Sequence, residues 1–152
     1  MVTFEQISLD DLEAFIRIAF YGDDDLVEKY HVVNGNFDEC VKDTFRRICE
    51  VAKKNELIFY SVWHGWIPVG FTVTGKSFLL SFGINIKSRT REIVTSWWKK
   101  VCMLLDNEFV TWIFKKNTRT VEFLRRNGME IVEDGPEKEF YNLIYILCPQ
   151  EV

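Results

Sequence analysis

Residues 114–130 read FKKNTRTVEFLRRNGME, and three signals meet in that stretch. A strand-like run from Val110 to Phe114 ends in two lysines. Asn117 then opens a helical pattern and Gly128 closes it, because asparagine caps helix starts and glycine takes the left-handed turn after a helix end. Five basic residues (Lys115, Lys116, Arg119, Arg125 and Arg126) fall within this turn and helix, although the chain of 152 residues has a formal net charge of -4.

Going back from that helix towards the N-terminus, the strand-like run 109–114 is preceded by the clearest helical stripe in the sequence. Ile93, Val94, Trp97, Trp98, Val101, Leu104 and Leu105 share one side, and Thr95, Ser96, Lys99 and Lys100 share the other. Before it come three strand-like runs, 57–63, 67–73 and 78–86, the first two joined by a His64-Gly65 turn into a hairpin. Residues 2–7 alternate as a short strand. Asp10 or Asp11 caps a helix carrying Leu12, Phe15, Ile16 and Ala19, and Asn36 or Asp38 caps one carrying Phe37, Val41, Phe45, Ile48 and Ala52. After Gly128 the spacing predicts strands over 129–133 and 140–148 around an Asp134-Gly135-Pro136 turn. The order is β-α-α-β-β-β-α-β-α-β-β. It predicts a mixed α/β layer structure on one sheet, in which only strands joined through helices 92–105 and 118–127 can be parallel neighbours.

The length predicts one domain, spanning 1–152, and a hydrophobic content of 47% fits a globular chain. No apolar run reaches the roughly 18 residues of a membrane helix, and the N-terminus lacks a signal-peptide pattern. The expectation is a soluble cytoplasmic protein without membrane partners. Cys40, Cys49, Cys102 and Cys148 form no C-x-x-C pair, so metal-ligand spacing is absent. They read as reduced, buried cysteines, with Cys49 and Cys148 in apolar core stripes. The acidic loop GDDDL, 22–26, reads as solvated surface and lacks the spaced ligands of a calcium loop.

Charge is unevenly placed. Residues 87–126 hold ten basic and four acidic side chains, whereas the rest of the chain holds nine basic and nineteen acidic ones. Much of the positive charge lies where a strand hands over to a helix, at 87–91 and 115–119, where helix amides already favour anions. Ordinary solvent-facing residues and a phosphate site both fit this pattern. A pI near 5.3 argues against an extended nucleic-acid surface, so no nucleic-acid partner is expected. A small ligand with several phosphates suits the local clustering.

The element order, IPVGF at 67–71, FLLSFGINI at 78–86 and NTRTVEFLRRNGM at 117–129 together resemble the GCN5-related N-acetyltransferase family over nearly the whole chain. The resemblance implies an acyl-CoA N-acyltransferase fold, with a central, mostly antiparallel sheet flanked by about four helices. It implies a fourth strand splayed from the fifth, with acetyl-CoA in the gap as cosubstrate and an amine as acceptor. By the same resemblance, the backbone of 82–86 (Phe82, Ile84 and Ile86) would hold the cofactor's pantetheine arm. Arg89, Thr90 and Arg91 would hold its pyrophosphate, and Asn117 would contact the arm.

Two departures stand out. The family's pyrophosphate loop carries glycines, whereas KSRTRE at 87–92 has none, and the family's tyrosine acid position is Leu124 here. Glycine-poor loops with an Arg-rich start recur in acetyltransferase-like proteins of bacteriophages, some virion-associated, and the chain is similar to that branch. That implies a rival expectation, a non-catalytic structural or interaction protein. Tyr141 is the nearest replacement acid in sequence, Tyr60 and His64 sit near a turn that holds substrate in some relatives, and Ser81 has no triad partners. Trp63, Trp66, Trp97 and Trp98 supply aromatic surface for a homo-oligomer interface.

Overall fold

The computed structural model describes residues 1–33 and 35–146. The alternation in VTFEQI builds strand β1 (Val2–Ile7), which leads directly into helix α1 (Leu9–Phe20). The residue at the start of α1 is Ser8, not an aspartate. Its hydroxyl donates to Asp11 at 3.2 Å, leaving Asp10 and Asp11 in the first turn, where negative charge favours the helix dipole. A single π-helical turn (Leu26–Tyr30) follows, then α2 (Phe37–Ala52), capped by Asn36, whose side chain accepts from the Glu39 N–H at 2.8 Å.

Strands β2 (Ile58–His64) and β3 (Ile67–Thr74) form the expected hairpin, and β4 (Phe78–Ile84) pairs back onto β3. A short 3-10 turn (Ile86–Ser88) connects β4 to α3 (Arg91–Leu104). Then come β5 (Glu108–Phe114), α4 (Thr118–Arg126), β6 (Glu130–Asp134) and β7 (Phe140–Ile146). The element order is the one the periodicity predicts.

All seven strands share one sheet in the order β1-β2-β3-β4-β5-β7-β6. Among the described residues only β4 and β5 pair in parallel; the other pairings are antiparallel. The second parallel pairing that periodicity allowed, across α4, does not form. β7 inserts between β5 and β6 and pairs antiparallel with both, which leaves β6 as an edge strand with every residue exposed.

Helices cover both faces. Under α3 and α4 lies a cluster that includes Trp97, Trp98, Phe109, Leu124 and Leu143; under α1 and α2 lies another with Leu12, Ile16, Val41, Phe71 and Val73. Trp97 and Trp98 are 1% and 6% exposed, so they fill the core and offer nothing to an oligomer interface. The Trp97 indole N–H donates to Thr72 Oγ1 at 2.9 Å, which satisfies its polar edge. Leu104, placed on the apolar stripe by sequence, is exposed, and Cys102 takes the buried place. Cys40 is buried too, whereas Cys49 is only half-buried and Cys148 lies outside the described residues.

Two glycines are dictated by geometry. A Cβ on Gly70 would overlap the carbonyl oxygen of Gly83 on the neighbouring strand, so β3 and β4 approach each other only because position 70 lacks a side chain. Gly128 has φ +100°, the left-handed turn that ends α4.

Candidate functional site

A break in the sheet sets up the site. Val73 of β3 pairs with Ser81 of β4, but Thr74 pairs with Leu79, so Leu80 is an extra residue in β4. A bulge bends its strand and flips the alternation beyond it. Leu79 and Phe82 therefore both pack against the cluster beneath α3, while Ser81 borders a cavity on the α2 side, which the Phe82 ring also reaches through the gap. β4 keeps two register pairs with β5, Phe78 with Val110 and Leu79 with Thr111. The Thr111 hydroxyl donates to the Leu79 carbonyl at 2.6 Å and pins the last joined point. From Leu80 to Ile84, among the described residues, the edge of β4 that faces β5 has no ladder partner. The two strands splay into a gap.

A cavity of about 740 Å³ opens beside this gap. Phe20, Phe78, Phe82, Trp112, Phe114 and Phe140 provide its rings. Trp112 and Phe114 reach it because β5 alternates: Phe109, Thr111 and Ile113 are buried, Phe109 and Ile113 in the cluster beneath α3 and α4, and Trp112 and Phe114 between and after them turn towards the cavity, which Ile113 also borders. His31 lies in its wall, 2% exposed, edge-on to Phe114 at 5.3 Å. Its Nδ1 accepts from the Val33 N–H at 3.2 Å, which places the ring proton on Nε2, 3.0 Å from Thr44 Oγ1. Burial pushes its pKa down, against the pull of Asp43, so the ring is neutral near pH 7. Asp43 is itself buried and is held by Arg46 and Arg47, the latter at 3.0 Å.

At the open end of the gap stands an ion triad built on a buried carboxylate. Asp23, its side chain fully buried, accepts from Arg89 Nη2 and Arg119 Nη2, each at 2.7 Å, and from the Leu26 N–H at 3.2 Å. Arg89 Nε also donates to the Ile84 carbonyl at 2.8 Å, and the Arg119 guanidinium lies 5.1 Å from the Tyr30 ring centroid. Desolvation pushes the Asp23 pKa up, but hydrogen bonds from Arg119 and Arg89 outweigh it and leave the carboxyl below its ordinary value. Arg89 follows β4 and Arg119 follows β5, so Asp23 ties the two sides of the gap together. The acidic loop is thus not solvated surface throughout: Asp23 is its buried member, and Asp24 and Asp25 stay exposed.

The residues expected to serve the cofactor distribute around this frame. Phe82 and Ile84 lie on the splayed part of β4, and Ile86 begins the 3-10 turn beyond it, 38% exposed. Thr90 is the N-cap of α3, its hydroxyl accepting from the Ile93 N–H at 3.3 Å, and Arg91 is exposed in the first turn. Asn117 borders the cavity, but its side-chain oxygen accepts from the Thr120 N–H at 3.2 Å as the cap of α4. Tyr141 packs with the cluster beneath α3 and α4, Lys115 Nζ 5.2 Å from its ring centroid, and does not border the cavity. Tyr60 and His64 sit on β2, two strands from β4. Ser81 alone of the candidate catalytic side chains faces the cavity. Among the described residues no group of His, Cys, Asp and Glu is placed to hold a metal, and no helix is long and apolar enough to cross a membrane.

No family model matches the sequence, and no curated protein matches it either. Solved structures do match. The PaiA N-acetyltransferase of Thermoplasma acidophilum, determined with coenzyme A, superposes with a TM-score of 0.68 at 10% identity, over 97% of this chain and 99% of that one. An acetyltransferase from Thermus thermophilus gives 0.65 at 13% identity over 95% of each chain. A GCN5-related N-acetyltransferase from Rhodopseudomonas palustris gives 0.63 at 11%, over 96% of this chain and 95% of that one. With the bulged fourth strand, the single parallel pairing and the gap it opens, these likenesses settle the architecture: the chain has the fold of the GCN5-related N-acetyltransferases.

Proposed function

We propose that the protein transfers an acetyl group from acetyl-CoA to a primary amine. The observation that carries this reading is the edge of β4 beyond Leu80, which among the described residues has no ladder partner, opposite β5 and beside a ring-lined cavity. Free backbone amides and carbonyls on such an edge pair with an extended chain carrying amide groups, which is the chemistry of a pantetheine arm. The N-terminus of α3, with Thr90 as cap and Arg91 in the first turn, offers amides and charge to a phosphate. The solved acetyltransferases of the same fold, one of them bound to coenzyme A, support the reading.

The fit is incomplete at one point. Residues 87–90 all carry side chains, and Arg89 is committed to Asp23 and the Ile84 carbonyl, so Arg91 and the α3 amides are left to meet the pyrophosphate. That same commitment favours the second reading, a chain that keeps the fold for interaction and has lost acyl transfer. Thermal unfolding with acetyl-CoA, desulfo-coenzyme A and ATP separates the two. A ligand at 100 times its Kd adds about 2.7 kcal/mol to the folded state. Stabilisation by both coenzyme A compounds but not by ATP, reduced in Arg91→Ala, supports transfer; no shift at millimolar cofactor supports the second reading.

A further inference from the structure

We propose that the acceptor is a small primary amine on an aromatic body, seated in the ring-lined cavity between α2, β4 and β5. A polyamine does not suit that cavity. This inference rests on the acyl-transfer reading, which leaves the acceptor open.

The cavity's composition selects the acceptor. Trp112 and Phe78 meet at 5.5 Å between ring centroids and Phe114 and Phe140 at 4.5 Å, so two ring pairs stand among its walls. Ring faces of this kind accept another aromatic ring or a single cation. Arg47 already demonstrates the second mode, its guanidinium 5.5 Å from the Phe114 centroid and 5.9 Å from that of Phe140. A polyamine brings several ammonium groups, and each must exchange its water for a carboxylate. The carboxylates bordering the cavity already have cations of this chain: Glu137 meets Arg47 at 3.7 Å, and Glu50 meets Lys53 at 3.2 Å. Asp43, behind the wall, is held by Arg46 and Arg47. His31 adds no charge at neutral pH. The walls therefore reward apolar ring area and offer little to a second or third positive charge.

The size agrees. A volume of about 740 Å³ lies in the range of small-molecule sites and exceeds what one arylalkylamine fills. Ser81 and Phe82 lie on the splayed part of β4 and border the cavity, so an amine group directed past them points to where the acyl thioester would lie. In the transfer the amine nitrogen bonds to the acyl carbon as the carbon–sulfur bond breaks. The nitrogen loses one proton and the departing thiolate gains one.

The test compares 2-phenylethylamine, tryptamine and spermidine in two measurements on the full chain. Calorimetric titration without cofactor reads the cavity alone; thiol release from acetyl-CoA reads transfer. We expect both aromatic amines to bind without cofactor, and kcat/KM for them to exceed that for spermidine at least tenfold. Trp112→Ala should raise KM for the aromatic amines tenfold or more and leave the acetyl-CoA thermal shift in place. Phe140→Leu, which keeps bulk and folding but removes a ring, should move KM in the same direction. Spermidine binding as well as or better than the aromatic amines overturns the proposal, as does aromatic-amine binding that ignores both substitutions. Absence of an acetyl-CoA shift in the unmodified protein refutes acyl transfer instead, and the cofactor-free titration still decides whether the cavity takes an aromatic amine.

Discussion

Replacing Asp23 by asparagine tests the triad at the mouth of the gap. The change keeps shape and removes charge, leaving Arg89 and Arg119 facing each other with only an amide between them. Removing one member of a buried ion pair costs about 3–5 kcal/mol when the remaining charge stays dry. Here the two arginine side chains keep 26% and 34% exposure, so water relieves part of the loss and about 2 kcal/mol is expected. In a chain of this size that is a fall in Tm of roughly 4–8 °C. Urea unfolding followed by tryptophan fluorescence reads it directly. The pH dependence supplies a second check. The folded carboxyl is held below its ordinary value, so its contribution is full above that value and fades as pH falls through the folded one. The difference between Asp23→Asn and the unmodified protein should therefore be constant from about pH 5 to 7 and shrink below about pH 4. Equal stability at pH 7, or a difference that widens on acidification, would refute the argument that Asp23 is an ionised anchor.

Other sites give sharp expectations. Gly70→Ala forces a methyl group against the Gly83 carbonyl and should separate β3 from β4, seen as a lower Tm and faster exchange of amide hydrogens on both strands. Thr111→Val leaves the buried Leu79 carbonyl without its 2.6 Å partner and should cost about 1–3 kcal/mol in urea unfolding. Leu124→Ala, at a fully buried position of α4, should cost about 2–5 kcal/mol in the same assay. The Cys102 thiol, its pKa pushed up to about 11 by burial, should resist iodoacetamide at pH 8 until urea is added, as mass spectrometry of the alkylated peptides would report.

Periodicity carried the fold because each element's burial pattern is local. The β2–β3 hairpin, the stripe of α3 and the asparagine-to-glycine helix of α4 could be read from neighbours a few residues apart. What escaped was pairing between distant segments. β7 sits between β5 and β6 because both of its edges are satisfied there, and no spacing within 129–146 announces it. The bulge at Leu80 is equally silent, since it exists only relative to β3. The cavity was half legible: Trp112 and Phe114 alternate with Phe109, Thr111 and Ile113, a two-faced apolar strand that implies something apolar on both sides. His31, Thr44 and Phe140 come from segments with no shared signature, so only the fold brings them together.

The basic cluster is the instructive case. Sequence alone shows an excess of positive charge between residues 87 and 126 and invites an external phosphate. Part of that excess answers an internal anion instead. Arg89 and Arg119 lie 30 positions apart, and the carboxylate they share lies 66 positions before the first of them, in a run of three aspartates that looks uniformly solvated. One aspartate of the three is buried because α1 ends at Phe20 and the next turn carries position 23 under the two guanidinium groups. An anion site and an ion-paired tether need the same side chains at the same helix ends. What separates them is whether a carboxylate of the chain can reach, and that is a property of the fold. Arg91, in the same basic stretch but exposed at the start of α3, stands at a helix N-terminus, where it can meet a ligand's phosphate from outside.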